Sequence, residues 1–316
     1  MYCLTKITHP YLFQGKYKRD NYFEGWYFKI TDSKREHTYA IIPGISLERN
    51  DTHAFIQILD MNNKVSNFHY DINEFSYNPA KFEFMIGDNY FSKSRIRLNL
   101  NGDGISIQGD LFFCDIIEYP RTAFNPGVMG WFHFVPGMEC HHDIISIQHE
   151  IKGRLKINGS KAVFNGGKGY IEKDWGSSMP QSWVWFQSNH FGADDVSLSL
   201  SIAKIPLMRG SFTGFIVLFR YKERLIMFTT GNGARISELS GNNNVLRIAV
   251  KDCRFRLDLR ISNSGRGGQI KAPVNGQMSR SITESLDAAV RIRLSDRTGR
   301  ILYEGAGTNG GLEIVE

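Results

Sequence analysis

Val196-Ser197-Leu198-Ser199-Leu200-Ser201-Ile202 alternates apolar and small polar residues with period two. That spacing is the signature of a strand with one face in a core and the other in water. Cys253-Arg254-Phe255-Arg256-Leu257-Asp258-Leu259-Arg260-Ile261 repeats the pattern with charged residues between the apolar ones, as do Ile96 to Leu100 and Val290 to Leu294. Turn signals punctuate the chain at Asn101-Gly102-Asp103-Gly104, Asn158-Gly159, Asn165-Gly166-Gly167 and Gly231-Asn232-Gly233, chemistry that suits hairpins. Helical periodicity is confined to Ser281 to Ala289, which reads as one short helix. The chain is therefore all-β and antiparallel with little helix. Its 316 residues predict two barrels or sandwiches in tandem, an N-terminal domain over 1–160 and a C-terminal domain over 161–316.

A 41% hydrophobic, 22% charged composition excludes a disordered chain. The net charge of +6 is uneven: up to Phe191 the chain has 20 basic and 20 acidic residues, and the remainder has 18 and 12. Arg254, Arg256, Arg260, Arg291 and Arg293 take the polar positions of alternating strands, which reads as the solvated wall of a barrel. An anionic partner is the alternative. The arginines lack interleaved exposed aromatics, so no nucleic-acid partner is expected. All nine His and all five Trp lie at or before position 190. Chemistry is thus expected in the first three fifths of the chain.

Cys3, Cys114, Cys140 and Cys253 form no CxxC pair, so neither a disulfide framework nor a cysteine zinc site is expected. The opening MYCLTKITHPYLFQG lacks a basic region followed by an apolar run, so the reading is a cytoplasmic protein without a targeting segment. The longest apolar stretch, Phe212 to Phe219, is well below the roughly 20 residues a bilayer requires. Contact with lipid is therefore expected to be peripheral.

Three segments carry candidate chemistry. In Phe23-Glu24-Gly25-Trp26-Tyr27-Phe28-Lys29, an extended backbone puts aromatics on both faces, and Glu24 among apolar neighbours needs a partner or a proton. In Gly130-Trp131-Phe132 and Pro136 to Asp143, extension puts Glu139, His141 and Asp143 on one face and Cys140 and His142 on the other. The Glu139-His141-Asp143 row lacks a fourth ligand, so a polar row with no metal is the reading. The third segment runs from Gly169 to Phe191. Tyr170, Glu172 and Asp174 share one face there, and Trp183, Trp185, Gln187 and Asn189 share another. Amides continuing an indole stripe fit a lumen that holds an apolar ligand with one polar head. A structural Trp and Asn network is the alternative.

These residues resemble the tocopherol cyclase family. Phe23 to Lys29 is similar to its FEGWYFK opening. Residues 172–191, EKDWGSSMPQSWVWFQSNHF, resemble its EKNWG, Pro and W-x-W-x-Q-x-N-x-F signature. Glu139-Cys140-His141 resembles its E-P-H pattern, and Lys271-Ala272-Pro273 and Gly311-Leu312-Glu313-Ile314 fall where the family has similar pieces. The chain departs from it at Asp174, where the family has Asn, and at Cys140 to Asp143.

The resemblance implies two lipocalin-like barrels and a cofactor-free cyclisation, in which a phenol adds to an alkene of a prenylated hydroquinone or a related lipophilic substrate. That chemistry asks for a carboxylic acid kept protonated by desolvation, for π faces beside a cation, and for a dry cavity. The catalytic candidates are Glu172, Glu139, His141 and Asp174. The substrate-binding candidates are Trp26, Trp131, Trp175, Trp183, Trp185, Gln187 and Asn189. Pairing of Lys173 with Glu172 would keep the latter ionised and favour Glu139 as the acid. A carrier that binds a hydrophobic isoprenoid without turnover is the second reading.

Overall fold

The computed structural model describes residues 8–122, 125–135, 137–193, 195–207, 210–242 and 244–316. Cys3 and Pro136 lie outside the described residues. Twelve strands form the first sheet: β1 (Tyr22–Thr31), β2 (Thr38–Leu47), β3 (His53–Asp60), β4 (Val65–Asp71), β5 (Phe75–Tyr77) and β6 (Glu83–Ile86). They are followed by β7 (Asn89–Ser92), β8 (Arg95–Gly102), β9 (Ile105–Ile117), β10 (Cys140–Ile157), β11 (Ser160–Val163) and β12 (Gly167–Gly176). The order across the sheet is β4-β3-β2-β1-β12-β10-β9-β8-β7-β6-β5, with β11 paired to β10. The 3-10 turn Ile72–Glu74 joins the two end strands, and Asn89 Nδ2 on β7 donates to Tyr70 Oη on β4 at 3.2 Å. The sheet is thereby almost closed into a barrel.

Inward positions recur every second residue, so Trp26, Phe28 and Ile30 of β1 enter the same core as Phe84, Phe91 and Leu98. Trp26 stacks on Phe84 with centroids 4.0 Å apart and planes at 25°. Burying each such side chain contributes about 1.5–3 kcal/mol, and ring pairing adds about 1 kcal/mol.

Eleven strands form the second sheet: β13 (Ser182–Ser188), β14 (His190–Phe191), β15 (Val196–Leu207), β16 (Gly210–Tyr221), β17 (Arg224–Thr229) and β18 (Arg235–Gly241). The rest are β19 (Val245–Lys251), β20 (Phe255–Ser262), β21 (Gly268–Val274), β22 (Gln277–Asp296) and β23 (Ile301–Val315). The order is β17-β16-β15-β13-β23-β22-β20-β19-β18, with β14 on β23 and β21 on β22. Val196, Leu198, Leu200 and Ile202 of β15 enter its core with Phe186, Val217 and Ile292. The serines between them do not all face water, because Ser197 and Ser199 are buried as well. Both sheets pair their strands antiparallel, and the lipocalin-like all-β expectation holds.

Two expectations need correction. The division into compact units falls between Met179 and Pro180, and Ile270–Ser281 returns to the first unit. The Asn158-Gly159 pair beside the expected boundary at 160/161 is a hairpin turn, with Ile157 opposite Ser160 and Leu155 opposite Ala162. β12 then inserts between β1 and β10, so the chain does not leave the first sheet until after Gly176. The returning segment is held by Gln57, which donates from Nε2 to Lys271 O at 3.0 Å and accepts from Lys271 N at 2.7 Å. Ser46 Oγ donates to Gly276 O at 2.6 Å. The second correction concerns 281–289, which lies within β22 and forms no helix. Register shifts between Ser285 and Ala288 and between Ala288 and Val290 displace the alternation there. Such bulges change which side the following residues face.

Candidate functional site

β12 lies between β1 and β10, and its two faces carry different chemistry. On the core side, Lys173 and Trp175 stand opposite Trp26 and Glu24 of β1 and opposite Asp143 and His141 of β10. Lys173 Nζ is 2.6 Å from Glu24 Oε1 and donates to the carbonyls of Pro10 and Leu12 at 2.9 and 2.6 Å. Glu24 also accepts from the backbone N–H groups of Gln14 and Gly15, both at 2.9 Å, and from Tyr22 Oη at 2.6 Å. Both side chains are fully buried. A buried ion pair holds only when its remaining donors and acceptors are met, and here residues 10–15 meet them. The pair fixes that segment onto the first sheet. Burial pushes the Lys173 ammonium below its usual range, and Glu24 opposes the shift.

The other face of the same strands is also buried, and it is polar. Tyr170, Glu172 and Asp174 line up on β12, and His142 of β10 stands directly opposite Asp174. Tyr170 Oη donates to Glu172 Oε2 at 2.5 Å. His142 Nδ1 is 2.9 Å from Asp174 Oδ1, and its Nε2 is 3.8 Å from Glu172 Oε2. Burial alone would lower the His142 pKa, but Asp174 above all, and then Glu172 and Asp143, raise it to about 9. The imidazole is therefore a cation at neutral pH, donating from Nδ1 to Asp174 while its Nε2–H faces Glu172 at 3.8 Å. Glu172 is 5% exposed and Tyr170 fully buried. Gly25 lies opposite Asp174 on β1, where a Cβ would meet only Pro43 O, in ordinary contact at 3.9 Å.

The ligand atoms of His142, Glu172 and Asp174 come within 4.8 Å of one another. The carboxylates nevertheless approach different ring nitrogens. A metal takes one lone pair from an imidazole, so this arrangement suits a held proton better than an ion.

The other candidates of the first unit are placed differently. Glu139 is exposed, and so lacks the desolvation the acid role requires. His141 lies on the core side, stacked on Trp175 at 5.2 Å, and burial followed by His133 and Lys173 lowers its pKa to about 4. Trp26 and Trp175 belong to the hydrophobic core. Trp131 is 55% exposed in the 3-10 turn Gly130–Phe134. Lys173 pairs with Glu24 and not with Glu172.

The second unit has its own buried polar face. Trp183, Trp185 and Gln187 of β13 alternate with Val184 and Phe186, of which Phe186 is in the core. Trp183 Nε1 donates to Glu313 Oε2 at 2.6 Å, and Glu313 stands opposite Glu284 across β22 and β23. Asn189 is buried in the break between β13 and β14, after the row has ended.

The sequence reading missed three residues of these faces. His142 was overlooked because the Glu-x-His pattern drew attention to His141, one residue away on the opposite face. Glu284 was hidden within the expected helix. Glu313 sits in the Gly-Leu-Glu-Ile piece, which was a usable signal.

A family model described as tocopherol cyclase-like matches residues 115–315 of the chain. A chloroplastic probable tocopherol cyclase of Oryza sativa subsp. japonica is 28% identical over 82 residues, 26% of this chain and 17% of that protein. The chloroplastic tocopherol cyclase of Zea mays is 31% identical over 74 residues, 23% of this chain and 16% of that one. The matched segments thus span about a sixth of those relatives' length. Among solved structures, CghA with Sch210972 superposes with a TM-score of 0.58 at 9% identity, covering 93% of this chain and 89% of CghA. An AttH-type protein of Nitrosomonas europaea superposes with a TM-score of 0.53 at 12% identity, covering 92% of each chain. Both share the fold.

Proposed function

The chain belongs to the tocopherol cyclase-like family, and from that membership we propose that it is a cyclase closing a ring on a prenylated hydroquinone or a related lipophilic substrate by acid catalysis. A proton adds to the trisubstituted alkene nearest the ring and leaves a tertiary cation. The phenol oxygen captures the cation, forming the C–O bond, and gives up its own proton. Substrate and product are isomers, so the reaction consumes no oxidant or reductant.

The observation that carries this reading is the row Asp174–His142–Glu172–Tyr170, half-buried at Asp174 and His142 and buried at Glu172 and Tyr170. Glu172 is the proton donor of the proposal, and His142 is the store that resupplies it. The pair is ionised in the free chain, and a bound lipophilic substrate that excludes water would shift it towards transfer from the imidazolium to the carboxylate, because neutral partners cost less to bury than charged ones. The neutral carboxylic acid then protonates the alkene, and the phenol proton returns to the Glu172–His142 pair. Such a pair titrates as a unit.

The test is incubation with a prenylated hydroquinone, followed by chromatography for an isomeric chromanol of the same mass. Turnover that is lost in Glu172→Gln and kept in Glu139→Gln supports the proposal. Tight binding that quenches Trp fluorescence without any turnover would make the protein a carrier.

A further inference from the structure

The outward face of the second sheet carries three arginines side by side. Arg247 of β19 stands directly opposite Arg260 of β20, which stands directly opposite Arg291 of β22, and all three are exposed. Adjacent strands lie about 4.8 Å apart, so the row spans about 10 Å. Like charges directly opposite one another destabilise a sheet. The neighbouring row avoids this, because Asp258, Arg293 and Glu304 alternate in sign across β20, β22 and β23.

Nothing among the described residues neutralises the three side chains by an ion pair or a hydrogen bond. The nearby carboxylates are engaged elsewhere. Asp258 is 2.7 Å from Arg256, Glu304 is 3.3 Å from Arg293, and Glu238 accepts from Ser240 Oγ at 3.1 Å. Ala306 of β23 stands opposite Arg291 and presents little bulk, and the face holds a cleft of about 610 Å³ lined by all three arginines together with Arg293, Glu238, Asp258 and Glu304. That volume is in the range of small-molecule sites.

We propose that Arg247, Arg260 and Arg291 form a binding site for a phosphate-bearing anion, with two phosphates spanning the row. Guanidinium groups match phosphate oxygens as bidentate forks, and a single carboxylate could not reach all three. The ligand is a small compound with linked phosphates or a pair of phospholipid headgroups, which present the same oxygens. The inference does not depend on the cyclase reading.

The test titrates the full chain with inorganic pyrophosphate by calorimetry at low salt, beside flotation with phosphatidylcholine vesicles with and without phosphatidic acid. Pyrophosphate binds, and Arg260→Gln weakens it at least tenfold, while Arg254→Gln, whose side chain pairs with Asp252 in the preceding turn, leaves it unchanged. Flotation with phosphatidic acid that pyrophosphate reverses identifies headgroups as the source, and pyrophosphate binding without flotation identifies a free compound. Without phosphate, Arg260→Gln melts at a higher temperature than the native chain because the repulsion is relieved. Absence of binding to both probes, binding indifferent to Arg260→Gln, or a melting temperature that fails to rise overturns the proposal.

Discussion

Lys173 reaches across β1 to Glu24 at 2.6 Å, while its chain neighbour Glu172 points to the opposite face of the same strand. The two glutamates thereby have separate tasks. Glu24 anchors residues 10–15, and Glu172 accepts from Tyr170 on the other face. Lys173→Met should leave the Glu24 carboxylate buried without its cation, a change that costs about 3–5 kcal/mol. Chemical denaturation of Lys173→Met, Glu24→Gln and the double variant checks this. The double variant should recover part of the loss, and Glu172→Gln should cost less than Glu24→Gln, because the amide can still accept from Tyr170 Oη. Equal destabilisation by Glu172→Gln would refute the division of labour.

Stability should peak near neutral pH, with limbs owed to different histidines. His142 is raised to about 9 in the folded chain from 6.5. Its contribution is fully present below pH 6.5 and is lost as pH climbs from there through 9. Buried His149 is lowered to about 3 by desolvation, and His141 to about 4. For these two the unfolded chain binds the extra proton, so stability is present above pH 6.5 and is lost as pH falls below it. Urea midpoints between pH 4 and 10 would show both limbs. His149→Gln should flatten the acid limb alone, and Asp174→Asn the alkaline limb alone.

Much of this was readable from the sequence, and the part that was not has a physical cause. Alternation correctly divided His141 and Asp143 from Cys140 and His142, and it grouped Tyr170, Glu172 and Asp174, because a strand's side chains change sides at every residue. It could not say which face holds the chemistry, since both faces of β12 are buried. His142 meets Asp174 through the register of β10 against β12, a pairing 32 residues apart that no local pattern encodes. Glu284 lies between Ile282 and Leu286, which are buried four positions apart, a spacing that a strand and a helix both place on one face.

Gly169 opposes His149 across β10 and β12, and a Cβ there would lie 2.1 Å from His149 Nε2. The ring cannot retreat easily. Its Nδ1 is hydrogen-bonded to Ser146 Oγ at 2.8 Å, and its face packs on Phe113 at 4.1 Å. Gly169→Ala should therefore cost about 1–3 kcal/mol through overpacking. Thermal denaturation of Gly169→Ala and of Gly169→Ala with His149→Ala distinguishes a steric cause from a backbone one. The second substitution frees the space, so the double variant should be less destabilised than the two single changes summed. Additive losses would place the cause in the backbone.

Asp174 departs from the family's Asn, and it is the residue that most strongly holds the proton on His142. If His142 resupplies Glu172, activity should fall at high pH as the imidazolium loses its proton, with the alkaline limb of kcat/KM near 9. Asp174→Asn removes the main attraction while keeping the shape, so that limb should move down towards the ordinary histidine range. At pH 6 the variant should retain most of its rate, since His142 is still largely protonated there, and at pH 8 it should lose roughly tenfold for each unit by which the limb has moved below that pH. The readout is the position of the limb, which a merely structural aspartate would leave in place while lowering the rate at every pH. A limb that stays near 9 in Asp174→Asn removes His142 from the proton path and leaves Glu172 to be resupplied from elsewhere.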